Sequence, residues 1–305
     1  MGQNDLTRRE FLKRAAVLGV AAAGLSELAG LGDPAEAAAG PTIAVASKRE
    51  PAALVRAAVD ALGGMGKFVK KGDIVLIKPN IAWARRPEVA ATTNPEVVAE
   101  IARLCKQAGA REVKIMDHSI DRPDALVLKI TGMDEAAKRS GVSVSLASSL
   151  ARYEKMSLRR GKTLRTVDVM RDLRRADVVI NAPIAKVHNS TALTLGLKNM
   201  MGTVWDRGAF HSSESLDQAI ADYAAEVRPH LVILDAVRIL LTNGPGGPGR
   251  TADKGIVVAG TDPLAVDAYA ATLFGREAQQ IGHLKCAYSM GVGELDLGRV
   301  KVRNV

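Results

Sequence analysis

Apolar positions recur along this chain with two periods, and the two patterns take turns. Short apolar runs such as Asp73-Ile74-Val75-Leu76-Ile77-Lys78 lack a polar face, as expected of strands in a sheet covered on both sides. Between them lie longer segments with apolar residues three and four apart, as in Val97, Val98, Ile101 and Leu104. This pattern predicts strands at Thr42–Ala46, Asp73–Lys78, Arg111–Asp117, Val142–Leu146, Asp177–Asn181, Leu231–Asp235, Gly255–Ala259 and Val300–Val302. It predicts helices over Pro51–Leu62, from the Asn94 cap to Gly109, Asp134–Ser140, Ser215–Val227, Pro263–Phe274 and Arg276–Tyr288, with a helical segment at Thr191–Met201. Asn94-Pro95-Glu96 supplies an N-cap, a proline at the first helical position and an acidic first turn, and Asp262 before Pro263 reads as another cap. Strands alternating with helices give a layered α/β fold with a largely parallel or mixed sheet and helices on both faces.

The N-terminus follows a different logic. Thr7-Arg8-Arg9-Glu10-Phe11-Leu12-Lys13 is a twin-arginine motif, followed by the uncharged stretch Ala15–Ser26 and the small-x-small box Ala35-Glu36-Ala37. The uncharged stretch is too short to span a bilayer of about 30 Å, so it predicts a secretory signal rather than a membrane anchor. Residues 1–37 are therefore expected to be a signal peptide and residues 38–305 one α/β domain, with a division into two lobes left open. The expected partner is the twin-arginine export machinery, and the expected destination is the periplasm or the cell exterior.

Composition narrows the choice of ligand. The formal net charge is +9, which favours anionic partners, although many of the charges sit in the run Arg159 to Arg175, where a solvated basic face explains them. Aromatic residues make up only 3% of the chain, and export makes nucleic acid an unsuitable partner. Two cysteines, Cys105 and Cys286, cannot hold a four-thiolate iron–sulfur cluster; the sequence leaves open whether they are separate thiols or a bridge. No Gly-x-Ser-x-Gly elbow, His-Glu-x-x-His helix or phosphate-binding glycine loop is present. Gly244-Pro245-Gly246-Gly247-Pro248-Gly249 mimics a dinucleotide fingerprint, but no helix follows it and two prolines remove amide donors.

The strands end in polar residues: Lys78-Pro79-Asn80, Asp117-His118, Asn181 followed by Lys186-x-His188, and Asp235. Ligands of open α/β sheets bind outside the carboxyl ends of the strands, so these groups are expected to share one crevice. Lys198, Asn199 and His211 join them from the segment Gly196-Leu-Lys-Asn-Met-Met-Gly202 and just beyond. His188, Lys78, Asp117 and His118 are the candidate catalytic groups, His188 as a general base beside Lys186. Lys186, Lys198, Asn199, Asn80 and Asp235 are the candidate ligand- or cofactor-binding groups. His230 and His283 read as structural.

The Lys-Pro-Asn strand end, the Lys-x-His…Gly-Leu-Lys-Asn-Met-Met-Gly segment and Gly260-Thr-Asp-Pro-Leu-Ala-Val-Asp267 resemble the family called domain of unknown function 362. Many of its members are described as iron–sulfur proteins or carry a ferredoxin module, but this chain lacks the cysteines. The spacing of His188, Lys198 and His211 is similar to that of the lactate-racemase-like family. That likeness implies a nickel-pincer nucleotide anchored on Lys198, a nickel ligand at His211, proton transfer by His188 and a substrate clamp at Lys78. Two functions follow as expectations. One is an exported, cofactor- or metal-assisted enzyme moving a proton or hydride on a small anionic substrate, racemase-like or oxidoreductase-associated. The other is a non-catalytic binding protein for a small anion, or an accessory of a redox complex with a redox partner protein.

Overall fold

The computed structural model describes residues 40–305, so the arginine pair, the uncharged stretch and the cleavage box lie outside the described residues. Its strands are β1 Thr42–Ser47, β2 Ile74–Pro79, β3 Glu112–Asp117, β4 Ser143–Leu146, β5 Tyr153–Ser157, β6 Thr166–Met170, β7 Val178–Ala182, β8 Ile184–His188, β9 Ala192–Thr194, β10 Leu231–Leu240, β11 Thr251–Gly260 and β12 Lys301–Asn304. Ten of them form one sheet in the order β12-β1-β11-β10-β7-β2-β3-β4, with the β8–β9 hairpin attached to β10, while β5 and β6 pair separately. The run β10-β7-β2-β3-β4 is parallel throughout, and β11 runs against both β1 and β10. The architecture is a mixed, largely parallel α/β sheet with helices on both faces.

Side-chain alternation divides the core in two. Val75 and Ile77 of β2 and Val113 and Ile115 of β3 pack with helices Pro51–Ala61 and Pro95–Gln107. Leu76 and Met116, pointing the other way, pack with helices Leu216–Glu226, Pro263–Thr272 and Gly282–Ser289. The caps act as their sequence requires. Asn94 Oδ1 accepts from Glu96 N at 2.9 Å, and Asp262 Oδ1 accepts from Leu264 N and Ala265 N at 2.9 and 3.0 Å.

The expectation for Thr191–Met201 is corrected, and two elements are added. Thr191–Met201 is not one helix. Ala192 adopts φ +61°, the chain folds back so that β9 pairs with β8, and only Gly196–Asn199 closes a helical turn. The basic stretch and the residues just before it form the β5–β6 hairpin, whose exposed charges hid the alternation of buried Tyr153, Val167 and Val169. Asp124–Thr131, not read from the sequence, is a helix ending at Gly132 in the left-handed conformation. Cys105 and Cys286 are both free, and burial pushes the Cys105 thiol up to about 12. Among the described residues, no helix is long and apolar enough to cross a membrane.

Candidate functional site

Parallel pairing of β3, β2 and β7 brings their carboxyl ends to one edge, with Lys78 in register beside Asn181. A cleft of about 280 Å³ opens there, lined by Lys78, Asn80, Asp117, His118, Lys186, His188, Lys198, Asn199 and His211. Of the residues expected to share the crevice, Asn181 and Asp235 are not on its wall. Asp235 is buried, its carboxylate accepts from Asn94 N at 2.7 Å and Val237 N at 2.9 Å, and desolvation pushes its pKa up to about 6. It fastens the entry of the Pro95–Gln107 helix instead of facing a ligand.

Lys78 and Asp117 form an ion pair of 2.7 Å, each 1% exposed. Lys78 Nζ also donates to Pro79 O at 2.6 Å and Asn199 Oδ1 at 3.1 Å. Two carbonyl oxygens and a paired carboxylate, all from the protein, thus hold the amine, so the substrate clamp expected of it would compete with the ion pair. Burial lowers its pKa, and Asp117 opposes that shift. The other Asp117 oxygen accepts from Ile81 N at 2.6 Å. Gly202 lies against this pair: a Cβ there would stand 2.4 Å from Asp117 Oδ1 and 2.7 Å from Lys78 Nζ. Glycine is what lets the backbone come so close.

A file of asparagine amides links Gly196 to Lys186, with Asn199 and Asn80 on the cleft wall. Asn181 Nδ2 donates to Gly196 O at 2.9 Å, Asn199 Nδ2 to Asn181 Oδ1 at 2.8 Å, and Asn80 Nδ2 to Asn199 Oδ1 at 2.9 Å. Lys186 Nζ then donates to Asn80 Oδ1 at 3.2 Å and to Ala91 O at 2.5 Å. A backbone carbonyl only accepts, so Gly196 O fixes the orientation of each amide in turn. Burial pulls Lys186 down to about 7, and its neighbours Lys78 and Lys198 add to the shift. Lys198, in the Gly196–Asn199 helix, is drawn down to about 8 by burial and Arg207; its amine lies 3.3 Å from Met201 Sδ. That helix is anchored by Asp267, which accepts from Gly196 N at 2.6 Å and Leu197 N at 2.8 Å and is pushed up to about 7 by desolvation.

The imidazoles differ from one another. His188 is lowered to about 3, first by burial and then by the charges of Lys198 and Lys186, so it is neutral at pH 7. Ser190 N donates to its Nδ1 at 3.0 Å, so the neutral ring carries its proton on Nε2 and meets a ligand there as a donor. The base role expected of His188 does not follow from this geometry. His118 stacks on Trp205, with centroids 5.2 Å apart and an interplanar angle of 11°, and burial lowers its pKa. His211 is exposed at the rim.

Arg207 was not read from the sequence. It lies between Gly202 and Gly208 in a segment without periodicity, half-buried on the cleft wall, and donates to His118 O at 2.9 Å. Thr194, opposite Lys186 in the β8–β9 register, also lines the cleft, and its buried hydroxyl has no hydrogen-bond partner. Trp83 and Pro245 close one side, with Arg85 Nε donating to Gly246 O at 3.1 Å.

Among the described residues, no group of three or more His, Cys, Asp or Glu side chains is arranged to hold a metal ion. A metal held by protein donors alone does not fit. A group that brings its own metal ligands and needs one amine and one imidazole would meet both, Lys198 and His211, in this cleft.

Residues 75–272 match the family described as a domain of unknown function (DUF362). Thylakoid-associated protein sll1697 of Synechocystis sp. (strain ATCC 27184 / PCC 6803 / Kazusa) is 31% identical over 228 residues, which make up 70% of this chain and 67% of that protein. The lactate racemase apoprotein from Thermoanaerobacterium thermosaccharolyticum aligns with a TM-score of 0.47 and 13% identity, covering 80% of this chain and 56% of that one. A Thermotoga maritima protein aligns with a TM-score of 0.46 and 12% identity, covering 73% and 59%. The chain thus spans less than two thirds of the length of either solved structure.

Proposed function

As the chain belongs to the domain of unknown function (DUF362) family, whose name assigns no reaction, we propose a function from the cleft: it binds a small, multiply charged anion and moves a proton on it. The observation that carries this reading is the charge balance of the wall. Lys78, Lys186, Lys198 and Arg207 line it against the single carboxylate of Asp117, and that carboxylate is already paired with Lys78. Arg207 supplies the fork-shaped donor set suited to a carboxylate or phosphate, which a lysine does not reproduce. Thr194 Oγ1 and His188 Nε2–H add neutral polar contacts for a ligand oxygen.

The test begins with binding. Sulfate and phosphate are expected to raise the melting temperature at millimolar concentration. Arg207→Ala should weaken sulfate about tenfold to a hundredfold, the range of a lost charged hydrogen bond of about 1.5–3 kcal/mol. If no anion shifts the melting temperature and titration calorimetry gives no heat, the reading is wrong. Binding without proton exchange on any bound acid would favour the non-catalytic alternative.

A second reading rests on the Lys198 amine, buried with only a thioether sulfur as its hydrogen-bond acceptor. Lys198 and His211 are the residues that would hold a nickel-pincer-type nucleotide, which when bound supplies a hydride acceptor. Metal and mass analysis of protein from its native cells tests this, since a Lys198-linked mass with nickel is the expected signature.

Export is part of the proposal and rests on Arg8-Arg9 with the Ala35-Glu36-Ala37 box. Replacing both arginines by lysine should leave uncleaved precursor in the cytoplasm. Normal export of that variant would remove the assignment.

A further inference from the structure

We propose that Lys186, not His188, takes and returns the proton in this cleft, through the one tetrahedral position of its amine that faces the ligand. This inference rests on the anion reading above. It comes from counting hydrogen-bond positions. An ammonium has three N–H groups, whereas a neutral amine has two and a lone pair.

Lys78 and Lys186 differ in what fills the third position. Lys78 Nζ donates to Pro79 O and Asn199 Oδ1 and lies 2.7 Å from the Asp117 carboxylate, whose charge favours the ammonium. Lys186 Nζ donates to Ala91 O and Asn80 Oδ1 and has no carboxylate partner among the described residues. Neither can turn its role around. Ala91 O is a backbone carbonyl, and Asn80 is held with its oxygen toward Lys186 by the amide file that ends at Gly196 O. The third position of Nζ belongs to the cleft, whose wall Lys186 forms. With two N–H groups donated, the neutral amine presents its lone pair to the ligand.

The charges around it favour that form. Lys186 is 1% exposed; Lys78 reaches it from the end of β2 and Lys198 from the Gly196–Asn199 helix, both positive. Asp117, at the end of β3, opposes them, but its charge is shared with Lys78. His188 on the same strand is neutral, and Thr194 and Asn199 carry no charge. Lys186 is accordingly drawn down to about 7, close to the pH at which a general base works best. In the step itself, the acidic hydrogen of the bound anion goes to Lys186 Nζ, giving the ammonium, and the bond pair stays on the ligand as its conjugate base. Arg207 and Lys198 lie on the same wall to balance the new charge, and reprotonation runs the step backwards.

The test needs no substrate. In the full chain labelled with ¹³C,¹⁵N-lysine, the Cε and Nζ signals are followed by NMR from about pH 5.5 to 10.5. The Lys186 signal is assigned by its loss in Lys186→Arg, and in Lys186→Met should the arginine variant not fold. The expected midpoint lies within about one unit of 7, against about 10.4 for an ordinary lysine. Sulfate, a dianion that does not titrate in this range, should raise that midpoint by about a unit or more. Calorimetry in imidazole and Tris chloride buffers at pH 7.5 should then show proton uptake on sulfate binding, lost in Lys186→Arg. A midpoint above about 9.5 overturns the inference and leaves the anion reading intact. A near-neutral midpoint that bound sulfate does not move also overturns it, since the amine then does not face the ligand. Absence of sulfate binding overturns the anion reading, and the inference falls with it.

Discussion

Lys78→Met is expected to lower the folding free energy by about 3–5 kcal/mol, the cost of stranding a buried charge. The carboxylate left behind would be Asp117, 1% exposed, with Oδ1 deprived of its 2.7 Å ion-pair partner. Water cannot readily replace the ammonium, because the backbone at Gly202 closes over the pair with no room even for a methyl group. Pro79 O and Asn199 Oδ1 lose a donor at the same time. The double variant Lys78→Met, Asp117→Asn removes both charges and should recover more than half of the loss. Urea unfolding of the four proteins measures the coupling. A single-variant loss below about 1 kcal/mol, or simple additivity in the double variant, would mean that the pair is not the buried unit described.

Asp267→Ala should cost about 2–4 kcal/mol and also weaken sulfate binding, although Asp267 is not on the cleft wall. Its carboxylate accepts the amides of Gly196 and Leu197, and each buried donor left unpaired costs about 1–3 kcal/mol. Those amides begin the four-residue turn that carries Lys198 and Asn199, so the turn should loosen with them. Asp267→Asn keeps one acceptor and should lose about half as much. Its deficit should also depend on pH. Burial raises the Asp267 pKa to about 7, so the folded state holds that proton more tightly than the unfolded chain does. The stability Asp267 contributes is present below about pH 4 and is lost as pH rises through about 7. The deficit of the asparagine variant should therefore shrink over that window. Thermal melts at intervals across it check the sign, and a deficit that grows with pH would contradict the burial argument.

These two residues mark where the sequence is informative and where it stops. The convergence of Lys78, Asp117 and Asn181 was legible, because parallel strands put their carboxyl ends on one edge whatever their separation along the chain. The division of labour among the lysines was not. Lys78 and Lys186 look alike until their partners are known, and those partners come from Ala91, Asn199 and Asp117, far away in sequence. Arg207 sits in a segment with neither period nor motif, so nothing pointed to it except its place between two glycines. His188 was legible as a site residue but not in its tautomer, which depends on one local contact from Ser190 N. The anchoring part of Asp267 is not legible in the sequence, because its amide partners lie 70 and 71 residues away.

Of the two tryptophans in the chain, one lines the cleft and the other stacks on a residue that does. Trp83 forms part of its wall and lies against Gly246, where a Cβ would come within 3.2 Å of the ring, while Trp205 stacks on His118. Tryptophan emission therefore originates at the cleft wall and at the ring stacked on His118, with no background from indoles elsewhere. A ligand that dries the cleft should shift the Trp83 emission to the blue, and protonation of His118 should quench Trp205. Single replacements of each indole by phenylalanine separate the two signals, which turns an unlabelled sample into a stopped-flow sensor for whatever anion enters.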